Sequence, residues 1–253
     1  MAVGVLSLQG SFNEHMAALR RLGVTGVEVR KPAQLESVDA LIIPGGESTT
    51  MAKLAHYHNF FPSLREFMSS GKPVWGTCAG LIFLANEATG QKQGGQELIG
   101  GLNCTVHRNF FGTQIESFET ELTVPKLAEQ EGGPDRCRGV FIRAPAILKA
   151  GPDVEVLADY TIPLDKLRSV ASDAEAQEAI VDSDGKVIVA VRQGNILGTA
   201  FHPELTSDVR WHSYFLKMRM QRGETNRQCL ALSDPNLGYP LGTRPDLPIF
   251  EHR

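Results

Sequence analysis

The chain has 253 residues with a formal net charge of −4, and 42% of them are hydrophobic while 21% are charged. A globular protein of this size and composition can bury a full core, and the lack of a basic excess argues against a nucleic-acid partner. No stretch approaches the roughly 18 apolar residues that cross a bilayer, and residues 1–10 lack the basic leader of a signal peptide, so we expect a cytoplasmic protein outside the membrane.

Strands and helices alternate over the first hundred residues. Buried apolar runs and helical periodicity predict a β-α-β-β beginning, then one or two helices, a strand, and a helix that is apolar on almost all sides. Such alternation is typical of a mostly parallel sheet covered by helices. In chain order, the predicted strands are 2–8, 27–31, 39–46 and 72–77, and the predicted helices are 12–23, 48–60, 63–71 and 79–88.

After residue 100 the pattern becomes rich in strands. We expect an antiparallel extension of the sheet here, because few helical signals separate the strand-like segments. A last helix follows, with Thr206 or Ser207 as its cap. The predicted fold class is α/β, a three-layer, open and mostly parallel sheet flanked by helices, with an antiparallel extension. The strand-like segments are 102–112, 113–124, 140–148, 154–160, 186–194 and 196–204, and the last helix is 206–220.

Two segments stand apart from this pattern. Residues 162–185 are acidic and poor in apolar side chains, which indicates a surface insertion. Residues 222–253 are rich in proline, which predicts an irregular C-terminal tail. We therefore expect one domain over residues 1–221, followed by the tail.

The cysteines are widely separated, and no two of them form a C-x-x-C pair. This spacing favours free thiols in a reducing compartment over a zinc site or a disulfide framework. No metal site and no cofactor site is indicated elsewhere in the sequence. The cysteines are Cys78, Cys104, Cys137 and Cys229.

One cysteine lies between two glycines, where a predicted strand gives way to a predicted helix. Gly76 and Gly80 flank Cys78 in the sequence GTCAG. A nucleophile on a sharp strand-to-helix turn needs such small neighbours, because the backbones pack closely and the central residue is strained. The start of the following helix also favours the thiolate, which is the attacking species. Cys78 is thus a candidate nucleophile, although an isolated cysteine is also common as a small buried residue.

His202 is the histidine that follows a predicted core strand, at the sheet edge where Cys78 is also expected. Pro203 is expected to keep the chain extended, so that His202 and Glu204 project to the same side, as alternate strand residues do. Glu204 can then fix the imidazole tautomer while the other ring nitrogen faces Cys78. A structural histidine at a strand end is the alternative interpretation.

The segment PGGEST, residues 44–49, closes the third predicted strand. Its two glycines can present backbone N–H groups to an oxyanion that develops beside a nucleophile. Pro-Gly-Gly is also a common turn, and Ser48 can simply cap the next helix.

These motifs together resemble those of the class I glutamine amidotransferases, with GTCAG as the nucleophile elbow and HPE, residues 202–204, as the source of the other two triad members. More narrowly, the chain resembles the glutaminase subunit of the two-subunit pyridoxal 5'-phosphate synthase. This resemblance covers about residues 2–220 and implies a flavodoxin-like fold of the class I amidotransferase type. The segments that carry it are LSLQGSFNEH, PGGESTTM, GTCAGLIFLA, RNFFG, FIRAP and FHPELT.

The resemblance implies an enzyme that hydrolyses L-glutamine to glutamate and ammonia and passes the ammonia to a separate synthase subunit. Cys78 would form a glutamyl thioester, His202 would protonate the departing ammonia, and Glu204 would orient the imidazole. Backbone N–H groups of Gly46 and Ala79 would meet the oxyanion. The residues implied to hold glutamine are Gly46, Glu47, Ser48, Arg108, Ile142 and Arg143.

Two departures from the family pattern are visible: Phe110 stands where a small polar residue is expected, and the insertion and tail add length. The segment QGSFNEH, residues 9–15, is a candidate docking surface for the synthase, although it is also typical of an ordinary turn. A cysteine peptidase of the intracellular proteinase type is one rival, but such elbows place a histidine beside the cysteine, and here Ala79 follows Cys78. A non-catalytic relative that keeps the fold is the second rival.

Overall fold

The computed structural model describes residues 1–90, 95–111, 117–163 and 184–218. Its strands in chain order are β1 Ala2–Leu6, β2 Thr25–Val29, β3 Ala40–Ile43, β4 Val74–Thr77, β5 Ala85–Thr89, β6 Leu102–His107, β7 Ser117–Thr123, β8 Arg136–Ile142, β9 Ala146–Ala150, β10 Glu155–Thr161, β11 Lys186–Gln193 and β12 Ile196–Thr199. Its α-helices are α1 Phe12–Arg21, α2 Ser48–Tyr57, α3 Phe60–Ser69, α4 Ala79–Leu84, α5 Pro125–Glu131 and α6 Arg210–Lys217, and short 3-10 helices span Pro32–Ser37 and Pro203–Leu205.

Ten of the described strands form one mixed sheet in the order β2-β1-β3-β4-β12-β11-β9-β6-β5, with β10 paired to β11. Every neighbouring pair from β2 to β12 is parallel, whereas β11 joins β12, β9 and β10 by antiparallel pairing. Strands β7 and β8 form a separate antiparallel pair. The predicted α/β fold, a mostly parallel sheet with an antiparallel extension, is therefore confirmed.

The central parallel strands are apolar because a sheet of this kind is covered on both faces. All four residues of β3, β4 and β12 are buried, and so are the last four residues of β1. Helix α1 packs against β1 and β2, and helix α4 packs against β3, β4 and β12. Because β1, β3, β4 and β12 are parallel and lie side by side, their carboxyl ends meet at one edge of the sheet.

The helix predicted at 79–88 is shorter than expected. Helix α4 ends at Leu84, and residues 85–89 form β5, which pairs in parallel with β6. The Glu87 carboxylate accepts a hydrogen bond from Thr105 Oγ1 at 2.9 Å across this pair. Pairing with a distant strand thus decides the structure of a segment whose local sequence favours a helix.

Two elements between residues 120 and 150 also differ from the prediction. Helix α5 was not predicted, although Pro125 at its first turn is a known signal for a helix start. The segment predicted as one strand at 140–148 is divided between β8 and β9, and Arg143 at the division has a positive φ of 49°. A side chain in the left-handed region breaks the extended run that the apolar pattern predicts.

The cap predicted for the last helix is wrong. Helix α6 begins at Arg210, four residues after Thr206, so neither Thr206 nor Ser207 is at its N-cap. The backbone N–H of Arg210 instead donates to Asp208 Oδ1 at 2.9 Å. An aspartate two residues ahead satisfies this free N–H group, and the helix starts later than predicted.

Some of the predictions fall on parts of the chain beyond the described ranges. Residues 164–183 of the predicted insertion and the whole predicted tail at 222–253, with Cys229, lie outside the described residues. The three described cysteines are free thiols, as predicted. No helix in the described ranges is long and apolar enough to cross a bilayer.

Candidate active site

Four loops meet at the carboxyl edge of the parallel strands. They follow β1, β3, β4 and β12, and they contain residues 7–11, residues 44–47, Cys78 and residues 200–204 respectively. The parallel order of the strands brings together chain segments that are far apart in the sequence. As predicted, Cys78 and His202 lie at the same edge of the sheet.

Cys78 occupies a strained strand-to-helix turn, as predicted. Its φ of 47° and ψ of −102° lie in a region that L-amino acids rarely adopt. A Cβ on Gly76 would lie 2.4 Å from the carbonyl carbon of Gly80, and a Cβ on Gly80 would lie 2.0 Å from the carbonyl oxygen of Ile43. Only glycine fits at these two positions, because Cβ atoms do not approach backbone atoms so closely.

Gly80→Ala is therefore expected to lower the free energy of unfolding by about 2 kcal/mol or more, since the added methyl group must displace β3 or α4. Urea unfolding measures this change. The control is Gly23→Asn, at a φ of +69° where nothing lies within 4 Å of a new Cβ. Because asparagine tolerates the left-handed region, the control should lose less than about 1 kcal/mol. Equal losses in the two variants would contradict the close packing at the elbow.

His202 and Glu204 form a buried pair beside Cys78. Nδ1 of His202 lies 2.8 Å from Oε1 of Glu204, and the His202 ring and Cys78 line the same cavity and both lie against Gly45. The backbone conformation that brings the two side chains together differs from the prediction, because residues 203–205 form a 3-10 helix and not an extended segment. Pro203 begins the turn, and the turn still brings the two side chains together. The sulfur, imidazole and carboxylate therefore converge as the motifs predicted.

Burial and charge act in opposite directions on this pair. Burial alone would lower the pKa of His202, but the charges of Glu204 and Cys78 and the hydrogen bond to Glu204 raise that pKa well above its ordinary value. Burial alone would raise the pKa of Glu204, but the nearby His15 and His202 rings lower it to about 2. Hydrogen bonds from His202 and Ser11 act in the same direction. At neutral pH Glu204 is therefore ionised and His202 carries a proton.

The glycine loop after β3 touches both Cys78 and His202. A Cβ on Gly45 would lie 2.2 Å from His202 Cε1 and 3.2 Å from Cys78 Cβ, so this position must be glycine. The sequence pattern offered both glycines of this loop as N–H donors, and the family resemblance implied Gly46 alone; the close contacts of Gly45 with Cys78 and His202 were not predicted. A Cβ on Gly46 would lie 2.4 Å from Gln9 Oε1, which shows that the loops after β1 and β3 are packed against each other.

Ala79 and Gly46 both line the space beside Cys78. Ala79 is the first residue of α4, so its backbone N–H has no acceptor within the helix. The expectation that these two N–H groups meet an oxyanion stays a prediction.

A cavity of about 660 Å³ opens beside Cys78, which is a size typical of small-molecule sites. The predicted residues that line it are Gly46, Glu47, Ser48, Cys78, Ala79, Arg108, Ile142, Arg143 and His202. Lining residues that were not predicted are Thr49, Lys53, Ile82, Gly90, Gly95 and Asn109. Of the predicted site residues, Glu204 is the one that does not line the cavity, because it lies behind His202.

Arg108 and Glu47 place a positive and a negative charge in the wall of the cavity. Arg108 Nη2 donates to Ser48 Oγ at 2.5 Å and to Thr49 Oγ1 at 3.0 Å. Burial lowers the pKa of Arg108, and the charge of Glu47 opposes this shift. The Glu47 carboxylate accepts the backbone N–H groups of Thr49 and Thr50 at 3.1 and 2.6 Å. Glu47 is thus the cap of α2, a role that the sequence also allowed for Ser48.

The end of β8 reaches the site through two contacts. The backbone N–H of His202 donates to the carbonyl of Val140 at 2.8 Å, which fastens the loop after β12 to β8. The carbonyl oxygen of Ile142 lies 3.9 Å from Cys78 Sγ. Arg143 follows in a left-handed conformation and lines the cavity.

Phe110, which departs from the family pattern, is a core residue. It is 1% exposed and makes edge contacts with His107 and Phe111 at centroid distances of 5.9 and 5.2 Å. The larger side chain is accommodated by aromatic packing and does not enter the set of residues that line the cavity.

Two partners of Glu204 were missed by sequence analysis. Ser11 Oγ donates to Glu204 Oε1 at 2.6 Å, and His15 Nε2 lies 3.5 Å from Glu204 Oε2. Both belong to residues 9–15, which the sequence suggested only as a docking surface. Their side chains point inward from the first turn of α1, and a sequence pattern alone does not pair them with a residue near position 200.

The chain is similar to known proteins over most of its length. The sequence matches the model of the SNO glutamine amidotransferase family over residues 5–171 and 165–221. A protein of Arabidopsis thaliana named "Probable pyridoxal 5'-phosphate synthase subunit PDX2" is 64% identical over 99% of this chain and 100% of its own length. "Pyridoxal 5'-phosphate synthase subunit PdxT" of Pelotomaculum thermopropionicum is 46% identical over 88% of this chain and 98% of its own length.

A solved structure titled "Crystal structure of glutamine amidotransferase" superposes with a TM-score of 0.67 at 44% identity, covering 85% of this chain and 97% of that chain. The match to the family model spans well over half of the sequence, and the Arabidopsis relative is similar along almost all of it. The chain therefore belongs to the SNO glutamine amidotransferase family.

Proposed function

We propose that Cys78, His202 and Glu204 are the catalytic triad with which this chain hydrolyses L-glutamine to glutamate and ammonia. The observation that carries the proposal is a strained cysteine that lines one cavity with a buried imidazole, whose Nδ1 lies 2.8 Å from a carboxylate oxygen. By its family the chain is a glutamine-hydrolysing amidotransferase. By its 64% identity to the Arabidopsis subunit over 99% of its length, it is the glutaminase subunit of a pyridoxal 5'-phosphate synthase.

The reaction begins when the thiolate of Cys78 attacks the carboxamide carbon of glutamine. As the carbon–nitrogen bond breaks, the His202 imidazolium gives its proton to the leaving group, which departs as ammonia. A glutamyl thioester remains on Cys78. The neutral His202 then takes a proton from a water molecule as that water attacks the thioester, and glutamate leaves while the thiolate and imidazolium are restored. Glu204 keeps the imidazole oriented and stabilises its charge throughout.

The oxyanion of each tetrahedral intermediate is stabilised by the backbone N–H groups of Gly46 and Ala79. Both residues line the cavity next to Cys78. A preorganised pair of N–H groups at such a position lowers the activation free energy by several kcal/mol. Close packing holds the Gly46 backbone against Gln9, and α4 holds Ala79.

Arg108 binds the α-carboxylate of glutamine, and Glu47 contributes negative charge for its ammonium group. Arg108→Gln is expected to raise KM for glutamine about 10- to 100-fold and to change kcat less, because a charge-assisted hydrogen bond to a non-reacting group is lost. Steady-state kinetics of ammonia release measure both constants. The control is Arg65→Gln, which removes an exposed arginine paired with Glu97 at 2.9 Å and should leave both constants unchanged. An unaltered KM in Arg108→Gln would contradict this assignment.

The ammonia passes to a separate synthase subunit, and the glutaminase is nearly silent until that subunit binds. The two relatives reported above are named as subunits of pyridoxal 5'-phosphate synthase, which supports a partner of this kind. Release of free ammonia by an isolated subunit would waste glutamine, which is the reason to expect activation by the partner. Residues 9–15 remain the predicted docking segment.

The experiment that tests the function combines the chain with its cognate synthase subunit and follows pyridoxal 5'-phosphate formation. With glutamine as the nitrogen source, we expect product with the wild-type chain and none with Cys78→Ala. With an ammonium salt instead, both mixtures should form product, because only the glutaminase step is lost. Product from glutamine with Cys78→Ala would contradict the triad, and full glutaminase activity without the synthase would contradict activation by the partner.

A further inference from the structure

A pair of buried histidines lies behind the triad. His15 on α1 and His212 on α6 are both 0% exposed, and neither lines the cavity. His15 Nδ1 lies 3.0 Å from His212 Nε2. On its other side, His15 Nε2 lies 3.2 Å from Thr77 Oγ1 and 3.5 Å from Glu204 Oε2. The pair therefore contacts both the carboxylate of the triad and the residue that precedes Cys78.

Both rings of this pair are neutral at neutral pH. Burial lowers the pKa of His15, and the nearby His202 adds to this effect while Glu204 opposes it. Burial also lowers the pKa of His212 well below its ordinary value, and His15 adds to that shift. A neutral imidazole has one N–H donor and one lone pair, so the neighbours of each nitrogen decide which tautomer is present.

The neighbours of His15 favour a proton on Nε2. Glu204 Oε2 is a carboxylate oxygen, and a ring lone pair directed at it would be repelled, whereas an N–H is attracted to it and to Thr77 Oγ1. With Nε2 protonated, the Nδ1 lone pair of His15 accepts from His212 Nε2. The remaining nitrogen, His212 Nδ1, is buried and has no partner among the described residues. An unpaired nitrogen lone pair at that site costs less free energy than a buried N–H group without an acceptor.

We propose that His15 is a positioning residue for catalysis, which holds an Nε2–H donor toward Glu204 Oε2 and is itself held in that tautomer by His212. Oε1 of Glu204 is already occupied by Ser11 at 2.6 Å and His202 at 2.8 Å. The second oxygen, Oε2, makes no hydrogen bond within the described residues, and the N–H of His15 at 3.5 Å attracts it, so that the carboxylate keeps the plane that aligns His202. Its action on Cys78 passes through Glu204 and His202, and His15 does not touch the substrate.

Aromatic packing fixes the two rings in place. The Trp75 ring makes edge contacts with His15 and His212 at centroid distances of 5.5 and 4.8 Å. Trp75 Nε1 donates to Thr199 Oγ1 at 3.2 Å, which locks the indole between β4 and β12. In the described part of the chain no group of three or more histidine, cysteine, aspartate or glutamate side chains is arranged to hold a metal ion. The geometry thus fits two histidine rings that are held in a fixed orientation behind Glu204.

His15→Leu removes the donor and retains an apolar side chain in the core. We expect kcat for glutamine to fall about 10-fold or more with KM unchanged, because the attraction of the His15 N–H for the charged carboxylate at 3.5 Å is lost while the cavity is untouched. His15→Gln keeps an N–H at a similar reach and should recover most of kcat. The control is Leu19→Ala, one turn later on α1 and equally buried, which should lower stability and leave kcat unchanged.

A double-mutant cycle tests whether the effect passes through Glu204. In a Glu204→Gln background, His15→Leu should lower the residual kcat less than about 2-fold, because the carboxylate that it supports is gone. Equal losses in both backgrounds, or a loss carried by KM, would overturn the positioning role. The inference rests on the proposed triad, but the two fail differently: activity in Cys78→Ala would remove the triad itself, whereas additivity in this cycle removes only the role of His15.

The wild-type protein offers a test that does not depend on a variant that folds. Long-range proton–nitrogen NMR spectra of protein labelled with 15N-histidine distinguish the two neutral tautomers and the charged form of each ring. We expect His15 and His212 as neutral Nε2–H tautomers at neutral pH. An Nδ1–H tautomer or a charged ring at His15 would overturn the proposal.

Discussion

Replacement of Cys78 by alanine is expected to lower kcat for glutamine hydrolysis by at least about 10⁴-fold, because no thioester forms without the sulfur. The fold and the binding of the synthase should be retained, since the alanine keeps the Cβ of a buried residue that is 5% exposed. A coupled assay of ammonia or glutamate release, with the synthase present, measures the loss.

The matched control for this variant is Cys104→Ala. Burial raises the pKa of Cys104 to about 12, so its thiol is a poor nucleophile, and its removal should leave kcat unchanged. Ammonia release by Cys78→Ala at more than about one hundredth of the wild-type rate would show that another group performs the attack.

His202→Asn is expected to lower kcat by at least about 10³-fold. Without the imidazole, no general acid protonates the departing ammonia and no general base activates the water that hydrolyses the thioester. The thiolate of Cys78 also loses the positive charge beside it. We therefore expect a small neutral alkylating agent to react more slowly with Cys78 in this variant at neutral pH. Steady-state kinetics and the rate of alkylation measure these two effects separately.

The control for His202→Asn is His58→Asn, which changes an exposed histidine at the end of α2 and should alter neither quantity. An unchanged alkylation rate in His202→Asn would mean that the imidazole does not stabilise the thiolate. Retention of more than about one tenth of the wild-type kcat would contradict the role of His202 as acid and base.

The parts of the site that sequence analysis predicted are those with a strict backbone requirement. Gly76 and Gly80 must lack a Cβ because β3, β4 and α4 cross at the elbow, and such a requirement leaves a visible pattern around Cys78. His202 was found because carboxyl ends of parallel strands converge, which follows from the alternation of strands and helices.

The parts that sequence analysis missed depend on contacts between distant segments. The local sequence of residues 85–89 favours a helix, and only its pairing with β6 makes it a strand. Ser11 and His15 reach Glu204 across about 190 positions of sequence, at 2.6 and 3.5 Å. Helical spacing in the sequence identifies the buried face of α1, but it does not identify the residues that this face contacts. Such contacts are therefore not predicted from the sequence.

The proximity of His202 and Glu204 was predicted for a local reason that proved wrong. The alternation of strand residues predicted that His202 and Glu204 share a side, but a 3-10 turn at 203–205 is what brings them together. Proline at the first position suits the start of such a turn as well as an extended chain, so the sequence does not distinguish the two.

Labelling with a chloroketone analogue of glutamine tests the central claim most directly. Burial raises the pKa of both Cys104 and Cys137, so of the three cysteines in the described residues Cys78 should be the one that reacts at neutral pH. We expect peptide mass spectrometry to find the adduct at Cys78, activity to fall in proportion to the modification of Cys78, and glutamine to slow the reaction. Inactivation without modification of Cys78, or full modification of Cys78 with activity retained, would contradict the account.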